Sequence, residues 1–315
     1  MGTLSAHADA VRIPLRSREG EPTSPRSQAL VLFAILLLTC SGCGPRKPAE
    51  SMTAGHAIIG ASDAGFDLAW KLSGEFQTMN KGAFVDIVRG LNRELVDSLV
   101  NKDSEQIILD RPLTAAESLA MAKQELRIYT YPVAYYPVFL LVDSANPVRS
   151  LDSVQLHSIL TGGISNWKSV GGADSRITVY VPPPGEGAWQ SVSGFYGKLD
   201  SVTAVECPTA KAMLDSARDD RGALLIYSLP VETARFRKLY FRRDGADIPA
   251  NVKQILEAPV YPFHLELTYV TSRSKQDVAA GYLTYVVSNL GQRRVMNLGY
   301  RPASVPVRVV RMRGN

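Results

Sequence analysis

LTGGISNWKSVGG, residues 160–172, sets a single tryptophan, flanked by Ser165-Asn166 and Lys168-Ser169, between two pairs of glycines. No side chain here suits catalysis, so the stretch is read as backbone geometry. Just upstream, SLDSVQLHSIL (150–160) offers Ser150 as an N-cap and places Leu151, Val154 and Ile159 along one face. Gly162-Gly163 then supply the positive φ at which a helix stops cheaply. The pattern predicts a helix ending at those glycines, with Trp167 tucked beneath the following loop as an anchor.

The rest of the chain follows the same logic. From His56 onward, short β-rich runs (HAIIG, AFVDIV, EQIIL, VFLLVD, ITVYV, ALLIY, ELTYV) alternate with stretches of helical periodicity, which predicts an α/β architecture. Leu68, Leu72 and Phe76 fall at four-residue spacing, as do Leu91, Leu95 and Leu99. Such stripes read as core faces of helices lying on a sheet. Thr209 is a candidate cap for a helix through Met213, Leu214 and Ala217. Asp277 is one for a helix through Val278, Tyr282 and Val286 to Leu290, ended by Gly291. The chain has 315 residues, 45% of them apolar and 21% charged, enough for a sizeable core in two lobes.

Several segments then match one family in order. The quoted stretch resembles the "Thr-Gly-x-x-x-x-Trp, x-x-Val-Gly-Gly" segment of the phosphate-type substrate-binding proteins of ABC transporters. VFLLVDSANPV (138–148) resembles their strand and Asn-Pro turn. RGALLIYSLP (221–230) is similar to their "Gly-Ala-Ile-Gly-Tyr" strand, with Tyr227 at the tyrosine position. VVSNLGQRRVMNLGYRP (286–302) is similar to their C-terminal "Ser-x-x-Gly-Gln…Gly-Tyr-x-Pro" signature. The resemblance implies a periplasmic-binding-protein type II fold, two α/β lobes joined by two crossing strands, with a ligand held in the cleft by helix N-termini. It places lobe one at 55–135 plus 259–303, lobe two at 136–258 and a tail at 304–315. The crossings are expected near Tyr131–Tyr136, a tyrosine-rich run, and Ala258–Pro262.

Ligand residues carry over one at a time. Gly60-Ala61-Ser62-Asp63 resembles the family's first ligand loop, which puts Ser62 and Asp63 at a helix start. Gly90-Leu91-Asn92-Arg93 stands in place of a Gly-Ser-x-Gly loop, making Asn92 and Arg93 candidates. Asp110-Arg111-Pro112-Leu113-Thr114 resembles the "Ser-Asp-x-Pro-Leu-Ser" segment, so Asp110 is placed to accept the proton of a partly protonated phosphate, with Arg111 beside it. The fourth loop, PPPGEGAWQ, departs most: Gly185, Glu186 and Gly187 are candidates, but Glu186 and Ala188 stand where the family has Ser and Thr. A carboxylate there repels phosphate unless it is protonated or turned away.

The N-terminus adds an address. Ala29–Leu38 is an unbroken apolar run, preceded by Arg12, Arg16, Arg18 and Arg26 and followed by Ser41-Gly42-Cys43. The run is too short to span a membrane and reads as a signal-peptide core. The small residues before Cys43 resemble a lipobox, which implies a signal peptide over 1–43, lipidation at Cys43 (Cys40 is the other candidate) and a tether over 44–54. Cys207, left over, reads as packing, with no intramolecular disulfide.

No metal-ligand spacing, cofactor signature or catalytic motif is present: His7, His56, His157 and His264 are scattered. The formal charge of +5 suits solubility or anionic partners. The basic-aromatic run RFRKLYFRRDG (235–245) reads as an alternating strand with one wet face, not a nucleic-acid surface. The expected function is an extracytoplasmic, lipid-anchored solute-binding protein that captures phosphate or a related oxyanion for an ABC permease of the inner membrane. The alternative is a signalling or scaffold lipoprotein that keeps the fold and binds another solute or a protein partner.

Overall fold

The computed structural model describes residues 50–304 apart from 198, 200, 201, 230–233, 257–260 and 273–275. Cys40, Cys43, most of the expected tether, the tail beyond Ser304 and part of the expected return crossing lie outside the described residues.

The chain first lays down β1 (Ala54–Ala61), α1 (Asp63–Met79), β2 (Gly82–Arg89), α2 (Asn92–Val100), β3 (Gln106–Leu109), α3 (Ala115–Lys123) and β4 (Tyr129–Pro137). It continues through β5 (Phe139–Asp143), β6 (Ser150–Asp152), α4 (Ser153–Leu160), β7 (Thr178–Val181), α5 (Gly187–Phe195), β8 (Val205–Glu206) and α6 (Ala210–Ser216). Next come β9 (Ala223–Tyr227), β10 (Phe236–Lys238), β11 (Tyr240–Arg243), β12 (Ala246–Ile248) and α7 (Val252–Leu256). It returns through β13 (His264–Thr271), α8 (Val278–Val287), α9 (Asn289–Asn297) and β14 (Arg301–Pro302).

Two α/β lobes result. One is built on a six-stranded sheet of order β14-β4-β13-β3-β1-β2, in which β1 runs parallel to β2 and β3 and β13 runs antiparallel to β3 and β4. The other carries a five-stranded sheet, β10-β5-β9-β7-β8, and a small sheet, β12-β11-β6. The two connections touch: Val138 N–H donates to the Phe263 carbonyl at 2.9 Å, and the Tyr261 hydroxyl donates to the Val138 carbonyl at 2.7 Å. Because β4 stays paired with β13 through Pro137, the expected first crossing lies within the six-stranded sheet; the boundary expected at 258/259 lies outside the described residues. The run Tyr131–Tyr136 is sheet strand rather than the crossing itself.

Periodicity placed part of the core. Leu68, Leu72 and Phe76 are buried on α1, and Phe76 meets Tyr282 of α8 edge-on with centroids 5.9 Å apart. Each such side chain contributes about 1.5–3 kcal/mol by burial. On α2, Leu95 and Leu99 are buried, whereas Leu91 precedes the helix as its N-cap. Trp167 is fully buried, its indole N–H donating to the Gly222 carbonyl at 2.9 Å, and Gly162 adopts φ +80° after α4.

Two helix boundaries differ from expectation. Asp152, not Ser150, caps α4: its carboxylate accepts from Gln155 N–H at 2.8 Å, and the Gln155 side chain returns a bond to Asp152 N–H at 3.1 Å. Ser150 and Leu151 are instead held in β6 by pairing with β11. The buried face of α4 is therefore Leu156, Ile159 and Leu160, with Val154 exposed. The α8 helix stops at Val287, because Ser288 is extended and its hydroxyl accepts from Gly291 N–H at 3.2 Å. Gly291 thus belongs to the first turn of α9 instead of ending α8. The basic run is not one alternating strand: it forms β10 and β11, broken at buried Leu239, with Phe236 and Phe241 buried and the consecutive Arg242 and Arg243 both exposed.

Candidate functional site

Four helices begin at the seam between the lobes, two from each: α1 and α2 from lobe one, α5 and α6 from lobe two. The amides of a first helical turn have no partner within the helix, and at this seam they find partners mainly on the other lobe. Asn92, the first residue of α2, donates its backbone N–H to Glu186 Oε1 at 2.8 Å. Gly187, the first residue of α5, donates its N–H to Asp110 Oδ1 at 2.9 Å. Ala210, the first residue of α6, donates its N–H to Asp63 Oδ2 at 2.8 Å. Three carboxylates therefore cross the cleft and end on the positive poles of facing helices.

Asn92 ties the first two bonds together. Its side-chain amide donates to Asp110 Oδ1 and to the Gly185 carbonyl, the latter at 3.2 Å, and its own side-chain oxygen accepts from Asp110 N–H at 3.4 Å. Gly187 has to be glycine for this approach, since a methyl group there would overlap the Asp110 carbonyl oxygen. Ser62 is fully buried; its hydroxyl accepts from Gly65 N–H at 3.2 Å and its N–H donates to the Ile108 carbonyl at 2.8 Å. Asp63 is paired with Arg89. Tyr227 is buried and lines, with Asp63, Asp110, Glu186 and Ala210, a cavity of about 20 Å³, room for about one water.

The electrostatics follow from burial. Asp110 is pushed above the usual carboxylate range by desolvation, only partly offset by the bonds from Asn92 and Gly187 and by the nearby Arg111 charge. Glu186, 5% exposed, is pushed up to about 8, first by burial and then by the Asp110 charge, with Asp63 adding to it. Burial and the charges of Asp63 and Asp67 push Tyr227 up to about 12.

The two candidate arginines part company. Arg111 is buried, but its guanidinium is fully engaged: Nε donates to the Gly185 carbonyl at 2.8 Å, and the fork grips Glu117 at 2.7 and 2.8 Å. Burial alone would raise Glu117, yet the bonds from Arg111 and Thr114 prevail and hold it below its usual value. Arg111 therefore braces the Gly185 loop, and its fork faces Glu117 instead of the cavity. Arg93 is placed outside the site, 88% exposed and 3.8 Å from Asp97, because its position in the first turn of α2 faces water. Ser62, Asp63, Asn92, Asp110, Arg111, Gly185, Glu186, Gly187 and Tyr227 are brought together; Arg93 is not. Sequence reading missed Glu117, for which Thr114-x-x-Glu117, a capping box, was the available signal. It also missed the role of the Ala210 amide: Thr209 marks the start of that helix, but nothing local says that the first amide meets Asp63.

Two lobes, two crossings and a seam of facing helix N-termini define a cleft-type binding protein. Residues 47–289 match the model of the PBP superfamily domain, and the chain belongs to that superfamily. Protein SphX of Synechococcus elongatus is 21% identical over 282 residues, covering 84% of this chain and 83% of that protein. Among solved structures, the fold is similar to that of a phosphate ABC transporter substrate-binding protein from Clostridium perfringens with bound phosphate (TM-score 0.70, 19% identity, 79% of this chain and 100% of that one). It is also similar to an ABC-type phosphate transport receptor from Vibrio cholerae (TM-score 0.61, 18% identity, 79% and 100%).

Proposed function

We propose that the protein captures phosphate or a related oxyanion by closure of its cleft and delivers it to an ABC permease of the inner membrane, and is itself anchored to a membrane by a lipid on Cys43. One observation carries the ligand reading: the amides that open α2 and α5 and the carboxyl group of Asp110 converge from both lobes on one buried place. Amides at helix N-termini suit an anion, and a carboxylate among them suits one that still bears a proton, which it can accept in a hydrogen bond. Two solved proteins similar in fold, one with bound phosphate and one a phosphate transport receptor, support the same class of ligand. Closure follows from differential contact: a ligand bridging both lobes stabilises the closed arrangement by what it touches there and not in the open one.

The test is thermal unfolding of the full chain with phosphate, sulfate, molybdate and neutral solutes at matched ionic strength. A ligand at about a hundred times its dissociation constant adds about 2.7 kcal/mol of stability. A phosphate-selective rise that disappears in Asp110→Ala is expected. A chain indifferent to every oxyanion would sink the reading. Labelling with a fatty-acid analogue, lost in Cys43→Ser, checks the anchor separately.

A further inference from the structure

Glu186 is the N-cap of α5, yet its side chain does not cap its own helix. It reaches across the seam and takes the first amide of α2, while Asp110 of the opposite lobe takes the first amide of α5, at Gly187. Each of these two helices thus has its first amide served from the other lobe. An oxyanion entering the cleft needs those same amides, because they are the buried donors that face it from both sides. Besides Asn92, the groups facing Glu186 are Asp110 and Arg111 from the β3–α3 loop and Asp63 at the start of α1, with Tyr227 of β9 on the same cavity.

Resting on the oxyanion reading, we propose that Glu186 is a tethered competitor of the ligand: its carboxyl group holds the Asn92 amide and latches the lobes together, and capture requires that latch to be displaced. The residue that departs most from the family pattern then sets the affinity of the cleft. A lone anion site would gain from a Ser or Thr hydroxyl at this position, whereas Glu186 fills the donor from within, so that only an anion able to exchange with it is retained. The small cavity beside the latch fits this reading, since a five-atom oxyanion needs the space that the Glu186 side chain takes up.

Two measurements on the full chain test it, each comparing wild type with Glu186→Ala and Glu186→Gln. The first is amide hydrogen exchange over residues 91–95 with no solute added. Glu186→Ala should speed exchange at Asn92 at least tenfold, and Glu186→Gln, whose amide oxygen still accepts, should stay near wild type. The second is calorimetric titration with inorganic phosphate, where Glu186→Ala should bind at least tenfold more tightly. Unchanged exchange in Glu186→Ala overturns the latch whatever the titration gives. Faster exchange with phosphate bound no more tightly than by wild type overturns the competition while leaving the phosphate reading intact. Phosphate binding by none of the three proteins overturns the phosphate reading and takes the competition with it. Glu186→Gln keeps the test decisive should Glu186→Ala fold poorly: a wild-type-like exchange rate that is maintained across the range in which Glu186 titrates supports the latch, and an accelerated one overturns it.

Discussion

The helices of this protein start in two different ways. On α4, away from the cleft, the cap is local: Asp152 and Gln155 exchange side-chain and backbone bonds within four residues. The same holds for Thr114 and Glu117 on α3. At the seam, Leu91 brings α2 no cap oxygen, and its first amide is served by Glu186, 94 residues away. The first amide of α5 is served by Asp110, 77 residues away. A local cap stabilises one helix whatever the rest of the molecule does. A borrowed cap exists only while the lobes are together, so it couples the helix start to closure. The difference separates helix starts capped within their own turn from helix starts served across the seam.

The hardest blow to the borrowed caps is Asp110→Ala. It strands the Gly187 amide and one proton of the Asn92 side chain, each a buried donor worth about 1–3 kcal/mol when left unpaired. A loss of about 2–5 kcal/mol in a denaturant titration is expected, together with loss of the phosphate response. A loss below that of a single local cap would break the comparison.

Acidity gives the next largest effect. Glu186 titrates near 8 in the folded protein against about 4.3 when unfolded. Its neutral form is therefore favoured by folding, and the stability linked to it is complete below the unfolded value and lost as pH rises through the folded one. The thermal midpoint should fall between about pH 5 and pH 8.5, and Glu186→Gln, which cannot ionise, should flatten that slope. A slope unchanged in Glu186→Gln would assign the pH dependence to other groups.

Sequence made one class of caps legible and not the other. Asp277 and Thr209 were read correctly as caps because an acceptor side chain, an apolar stripe and helical spacing all lie within a dozen residues. Trp167 was read as an anchor for the same local reason. Ser150 was misread because Asp152 competes two residues later and a distant strand, β11, claims Ser150. The site residues were collected only through family order, since nothing around Glu186 says that its carboxyl group will reach Asn92. Arg93 failed in the opposite sense: the residue type suits an anion, but helical rotation turns it to water. Local chemistry is written locally, whereas closure is a property of two segments that meet only in the fold.

On the local side, Asp152→Ala removes the acceptor for Gln155 N–H and should lower stability by about 1 kcal/mol, with phosphate binding unchanged by calorimetry. A change in phosphate affinity would show that α4 takes part in closure and blur the division.

The smallest effect should come from a helix whose first amides are served both locally and across the cleft. The start of α6 has Thr209 accepting locally from Ala212 N–H at 3.1 Å and Asp63 accepting from Ala210 N–H across the cleft at 2.8 Å. Thr209→Ala removes only the local half. Asp63 still serves the first amide and keeps its charge at the helix pole, so the loss should sit at the low end for a cap, about 0.5 kcal/mol. Denaturant midpoints of Thr209→Ala and Asp152→Ala, measured side by side, decide the point. Equal losses would mean that the bond from Asp63 contributes nothing to α6. A smaller loss at Thr209 that grows to the Asp152 value once Asp63 is also replaced by Ala would show the borrowed cap standing in for the local one.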